Sequence, residues 1–225
     1  MTQGMRARDE TVTFGVLIYE GVEPIDLGGT SGVFSMARRV LPNIVDFTIA
    51  AKAAPVRLAG GLTVLADHGV DDAPPCDVVI VCGGPGWPQA SEDPALLRYL
   101  RGRPAERVAS VCTGALILGA AGVLDNRTAT TRRTAVGAEA KAPLMLLKER
   151  VPTLSPREAV FVDDSVITGG GVSLAIDATL YLLERFYGAD AAQEVARVIE
   201  YDRALKANRD ALGRQVIRRD VIRHA

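Results

Sequence analysis

Cys112 stands between Val108-Ala-Ser-Val111 and Thr113-Gly-Ala-Leu-Ile-Leu-Gly-Ala-Ala121. The first stretch is short and apolar and reads as the end of a buried strand, while the second has no proline and predicts a helix that starts at once. A strand that breaks straight into a helix forces a tight turn at the junction. That is the geometry of a nucleophile elbow, which holds a side chain out at the carboxyl edge of a sheet. The free N–H groups and positive dipole end of the following helix favour thiolate over thiol, so this placement predicts a lowered cysteine pKa. The same segment also reads as a small buried cysteine in an apolar core. Two further stretches bear on the choice. Tyr19 to Leu27 carries the acids Glu20, Glu23 and Asp26, and Gly83-Gly-Pro-Gly86 offers backbone amides to a reacting atom, as an oxyanion hole requires. Alone, the glycine run is a tight turn.

The elements that must position these groups follow in order. Thr11 to Ile18, Val45 to Ala51 and Asp77 to Cys82 are β-branched, apolar runs and predict buried strands. Pro24 fits the first turn of a helix running towards Arg38, weakened by Gly28, Gly29 and Gly32. Val56 to Val64 predicts a hairpin across Gly60-Gly61, and helices are predicted at 92–101, 135–147 and 190–205. Thr128 to Thr131, Ala159 to Asp163 and Ser165 to Thr168 predict short strands, and Gly169-Gly-Gly-Val172 opens a long helix through Phe186. Strands alternate with helices throughout, which implies a doubly wound, mostly parallel α/β sheet sandwiched by helices. In such sheets the site lies beyond the carboxyl ends of the central strands, where the acidic loop, the glycine turn and Cys112 meet. The run at 169–171 lacks a P-loop lysine and the full GxGxxG spacing, so nucleotide binding is rejected.

With 225 residues, the chain is expected to form one α/β domain over 11–212, with a flexible lead-in at 1–10 and a basic amphipathic tail at 213–225. The tail's Arg214, Arg218, Arg219 and Arg223, interleaved with Val and Ile, read as a short docking helix. Net charge is −1, so there is no global attraction to nucleic acid or membrane. No apolar run has transmembrane length and no signal-peptide core opens the sequence, so a cytoplasmic location is expected. Three cysteines without CxxC spacing and two histidines argue against a disulfide framework or a zinc site. Neither His68 nor His224 follows the elbow, so a Cys–His pair is not expected and a cysteine with a carboxylic acid remains.

Phe14-Gly-Val-Leu-Ile18, Pro24-Ile-Asp-Leu27, Val78 to Gly86, Val111-Cys-Thr-Gly-Ala115, Ala129-Thr-Thr131 and Thr168-Gly-Gly-Gly171 with Ala175-Ile-Asp177 occur in this order. In these strings the chain resembles the ThiJ/PfpI superfamily, with its flavodoxin-like, amidotransferase-like fold. Within that superfamily it is similar to the isocyanide hydratases and to the sensor domains of AraC-type regulators. The resemblance spans roughly Thr11 to Glu200. It implies Cys112 as nucleophile and Asp26 as the acid beside it. Gly83, Gly84 and Thr113 are implied around an oxyanion hole, with the Gly84 and Thr113 amides as donors, and Thr131, Arg132, Gly171 and Val172 as pocket wall. Where the hydratases and sensors usually continue Ala-Thr-Thr with His-Trp, this chain has Arg132-Arg133, so its pocket wall is altered.

The resemblance implies hydration of an isocyanide to an N-substituted formamide without metal or organic cofactor, by a homodimer acting on a small molecule. The alternative is a cysteine-based sensor of small electrophiles or oxidants, and deglycation of carbonyl adducts ranks lower for want of a histidine. An AraC-type regulator would append a helix–turn–helix domain of about a hundred residues. Some two dozen follow the core, so a self-sufficient regulator is not expected.

Overall fold

A computed structural model describes residues 5–217. Eight strands form one sheet: β1 (Val12–Leu17), β2 (Ile44–Ala50), β3 (His68–Gly69), β4 (Val78–Val81), β5 (Val108–Ser110), β6 (Phe161–Asp164), β7 (Val166–Gly169) and β8 (Gln215–Val216). Their spatial order is β8-β6-β7-β5-β4-β1-β2-β3. Neighbours run parallel except β6 and β7, an antiparallel hairpin turned at Ser165 in the left-handed region. β1, β4 and β5 are buried on both faces, with Val and Ile predominant in β4, as a sheet covered by helices requires.

Among the described residues, eight helices cover the faces: α1 (Pro24–Ala37), α2 (Trp87–Ala90), α3 (Pro94–Arg101), α4 (Gly114–Ala120), α5 (Pro143–Arg150), α6 (Leu174–Tyr187), α7 (Ala189–Val198) and α8 (Asp202–Leu212). α1, α6 and α7 pack together on one face, and α2 to α5 gather around α4 on the other. Phe14 stacks on Phe34 beneath the first layer, with ring centroids 4.3 Å apart. The sandwich is the doubly wound arrangement that the alternation of elements implied, in the flavodoxin-like form that the resemblance implied. Two short strand pairs lie outside the main sheet, Pro55–Arg57 with Thr63–Leu65, and Thr128–Ala129 with Ser155–Pro156.

Four expectations are corrected. The helix expected at 135–147 begins only at Pro143, and 133–142 is an exposed strap with Gly137 at φ 58°. The helix expected at 190–205 is two, broken where Glu200 takes φ 54°. The lead-in is anchored from Arg6: its N–H donates to the Phe186 carbonyl at 2.7 Å, and its guanidinium pairs with Asp77 at 2.7 Å. The tail contributes an edge strand, with Val162 opposite Gln215 and Asp163 opposite Val216, in place of the start of a helix. Its remainder, 218–225 with His224, lies outside the described residues.

Candidate active site

Cys112 sits two residues beyond β5 at φ 50°, in the left-handed region that a strand-to-helix elbow demands. Its backbone is pinned on both sides. The N–H donates to the Gly170 carbonyl at 2.9 Å, and the carbonyl accepts the Thr131 hydroxyl at 2.6 Å. Gly114 lets α4 begin immediately, because a Cβ there would lie 2.1 Å from the Val81 carbonyl oxygen. The side chain is almost fully buried, yet the residue borders a cavity of about 260 Å³.

Asp26 is the third residue of α1, where Pro24 at its first position places it, and it is fully buried. Gly83 fixes the distance between acid and thiol. A Cβ at Gly83 would stand 2.7 Å from Asp26 Oδ2, 2.8 Å from the Cys112 Cβ and 2.6 Å from the Thr113 nitrogen. The carboxyl oxygens lie near the Cys112 thiol and the Gly83 amide, but neither oxygen has a hydrogen bond of full geometry. A carboxyl buried this way prefers to keep its proton. Desolvation raises the Asp26 pKa to about 7, outweighing the contacts with Cys112 and Gly83 and the pull of Arg132. The helix start does not prevent that rise.

The expected lowering of the Cys112 pKa is overturned. Burial first, and then the nearby Asp26 charge, push the thiol up to about 12. The amides of Val172 and Thr113 and the Arg132 guanidinium act in the expected direction and are outweighed. Acid and thiol therefore form a coupled pair that gives up its first proton near neutrality and holds the second.

The glycine turn also differs in detail. The Gly84 N–H donates to Thr113 Oγ1 at 2.8 Å, so the amide implied for an oxyanion hole is already engaged. The amides turned towards the sulfur are those of Thr113 and Val172. Val172 was expected only as wall, yet it takes φ 53° and supplies a donor, a role visible only once the 169–172 turn is folded against the elbow. Arg132 lines the cavity, whereas Thr131 and Gly171 border a neighbouring hollow of about 340 Å³. Glu139, which the sequence did not single out, also lines the Cys112 cavity and pairs with Arg132.

Among the rival acids, the Glu20 carboxylate is turned to the Arg57 amide at 3.2 Å, while Glu23 borders the cavity mouth. His68 lies on the far edge strand against Phe47. Among the described residues no cluster of His, Cys, Asp or Glu suits a metal ion. A more apolar hollow of about 310 Å³ over Gly28 and Gly32 carries neither nucleophile nor carboxylate.

A flavodoxin-like sheet with a cysteine on a nucleophile elbow and a buried acid across a glycine turn defines a class, and similarity places the chain within it. Residues 13–185 match the DJ-1/PfpI family, and the chain belongs to that family. It is 32% identical over 192 residues to the isonitrile hydratase of Pseudomonas putida, covering 83% of this chain and 77% of that protein. It is also 27% identical over 158 residues to GbdR, a helix–turn–helix transcriptional regulator of Pseudomonas aeruginosa, covering 69% of this chain and 41% of the regulator. Among solved structures, a ThiJ/PfpI family protein from Pseudomonas syringae superposes with a TM-score of 0.74 at 26% identity. That match covers 86% of this chain and 76% of the other. The family thus holds both a hydratase and regulators.

Proposed function

We propose that this protein hydrates isocyanides (isonitriles) to N-substituted formamides, with Cys112 as nucleophile and Asp26 as proton carrier. The observation that carries the reading is a fully buried carboxyl with a pKa near 7, held across Gly83 from a cysteine that borders a cavity. An isocyanide carbon must accept both a nucleophile and a proton, and this pair offers both at one place. Its partial similarity to an isonitrile hydratase supports the same chemistry.

With one proton on the pair, that proton rests mainly on the thiol and the charge on Asp26; the productive form is the minor tautomer in which the proton has moved to Asp26 and the charge to sulfur. The sulfur bonds to the isocyanide carbon while Asp26 delivers its proton to that carbon, giving a thioimidate and a carboxylate. Water then adds across the C=N bond, its oxygen to carbon and a proton to nitrogen. Collapse breaks the C–S bond, releases the formamide, returns the hydroxyl proton to Asp26 and restores the thiolate. No redox change or added co-reactant enters.

The test is incubation with a panel of isocyanides, following formamide release against Cys112→Ala. Wild-type protein inert towards every isocyanide would sink the hydratase reading in favour of the cysteine sensor, which the regulator relatives support. A homodimer in the cytoplasm belongs to the same proposal. Light scattering at the 23.9 kDa monomer mass would count against the dimer.

A further inference from the structure

Among the described residues, Arg132 is the only cationic side chain lining the Cys112 cavity. Its guanidinium is held at two corners, by the Thr134 carbonyl and the Glu139 carboxylate, and it lies near enough to the Cys112 sulfur to interact with it electrostatically. Its stem is pressed against Gly171, where a Cβ would lie 2.7 Å from the Arg132 Cγ. Glu139 is itself fixed by the Val136 N–H at 3.0 Å. A buried arginine gripped this way cannot swing out to solvent, so its charge stays where the fold puts it.

We propose that Arg132 is a catalytic residue, the fixed cation that shares the negative charge of the Cys112 sulfur, and that Glu139 is a positioning residue that holds the guanidinium and moderates its charge. Many cysteine sites take such a cation from a histidine, and His68 is on the far edge of this sheet. The charged and titratable groups facing the sulfur come from every side: Tyr19 after β1, Asp26 on α1, Glu23 just before it, Cys82 after β4, Arg132 just before the strap and Glu139 on it. All except Arg132 are acidic, so its removal leaves the sulfur facing acids alone. In a buried site that change is weakly screened. The role does not depend on which electrophile arrives.

Alkylation of Cys112 by iodoacetamide, followed by mass mapping from pH 6 to 10, tests this without any isocyanide. Arg132→Met is expected to slow alkylation about tenfold, the effect of one unit in thiol pKa. Arg132→Lys should recover most of the rate, because the charge returns. Glu139→Gln keeps an acceptor for the guanidinium while removing a negative charge, so it should react severalfold faster than wild type. The opposite signs of the first and third variants are the signature. If Arg132 were only a wall, methionine would leave the rate unchanged or raise it through easier access, and either result overturns the proposal. A Glu139→Gln rate at or below wild type would remove the role assigned to Glu139. Should Arg132→Met fail to fold by circular dichroism, the lysine and glutamine variants still decide the matter. Failure of isocyanide turnover would leave this inference standing, and failure here would leave the hydratase reading standing.

Discussion

Two buried aspartates, Asp26 in α1 and Asp177 in α6, answer the same physical problem in opposite ways. Both are fully buried, and desolvation raises the pKa of both. Asp177 Oδ2 accepts the Tyr201 hydroxyl at 2.8 Å and the Asn208 amide at 3.0 Å, which tie α8 to α6. Asp26 has no such partners and shares its surroundings with a thiol beside a cavity. Burial alone therefore does not mark a working carboxyl. Asp177 joins helices through one of its oxygens, whereas neither oxygen of Asp26 is satisfied, beside the cavity where the proposed reaction requires a proton.

The sharpest way to break this contrast is to disable each acid in turn. Asp26→Asn keeps the shape and removes the acid, so isocyanide turnover should fall about a hundred-fold or more while the fold persists. Oxidation of Cys112 by peroxide should continue in that variant, since it needs only thiolate and access. Full turnover in Asp26→Asn, with loss in Glu23→Gln or Glu20→Gln, would show that the wrong carboxylate has been assigned. Asp177→Ala should do the reverse. Losing the acceptor for Tyr201 and Asn208 should cost about 1–3 kcal/mol in urea unfolding, with turnover per folded molecule near wild type.

Titration sharpens the contrast further. The native state holds the Asp26 proton up to about pH 7, whereas the unfolded chain releases it near 3.8. The folded state thus binds more protons within that window, so this group's contribution to stability is full at low pH and is lost as pH rises towards 7. Asp26→Asn should flatten that fall, measured as the difference in unfolding free energy between pH 5 and pH 8. Turnover runs the other way: kcat/KM should rise through about pH 7 as the pair loses its first proton. A rate that falls across pH 7 would contradict the single-proton mechanism.

The smallest expected difference lies among the thiols. Cys112 borders the cavity, whereas Cys82 is sealed and Cys76 is held by Arg103 at 3.1 Å. Iodoacetamide at neutral pH should label Cys112 first. Labelling of Cys76 or Cys82 ahead of it would overturn the assignment.

Much of the framework was legible in the chain because parallel strands buried on both faces must be continuous apolar runs, as Val78 to Val81 is. The elbow was legible too, since Val111-Cys-Thr-Gly leaves no room for a loop. Asp26 was singled out from Glu20 and Glu23 by resemblance to known proteins; in the fold Glu20 is drawn away to Arg57, while Asp26 lies beside the Cys112 thiol. The direction of the thiol pKa was misjudged because helix-start amides can be read from sequence order, whereas desolvation depends on what closes over the site. Val172 and Glu139 reach Cys112 from 60 and 27 positions along the chain, distances over which local pattern carries no information. The helix expected across 135–147 failed for a related reason. Its first half is exposed, interrupted by Gly137, and reset by Pro143.

The left-handed backbone at Cys112 has a consequence for how this protein responds to selection. Holding a side chain at φ 50° costs about 1–2 kcal/mol that glycine would not incur. The side chain also borders an existing cavity, so deleting it opens no new sealed void. Thermal resistance and chemistry therefore pull in opposite directions at this position. A library randomised at 112 and screened only for survival on heating should enrich glycine, and its most robust members would be those that had discarded the proposed nucleophile.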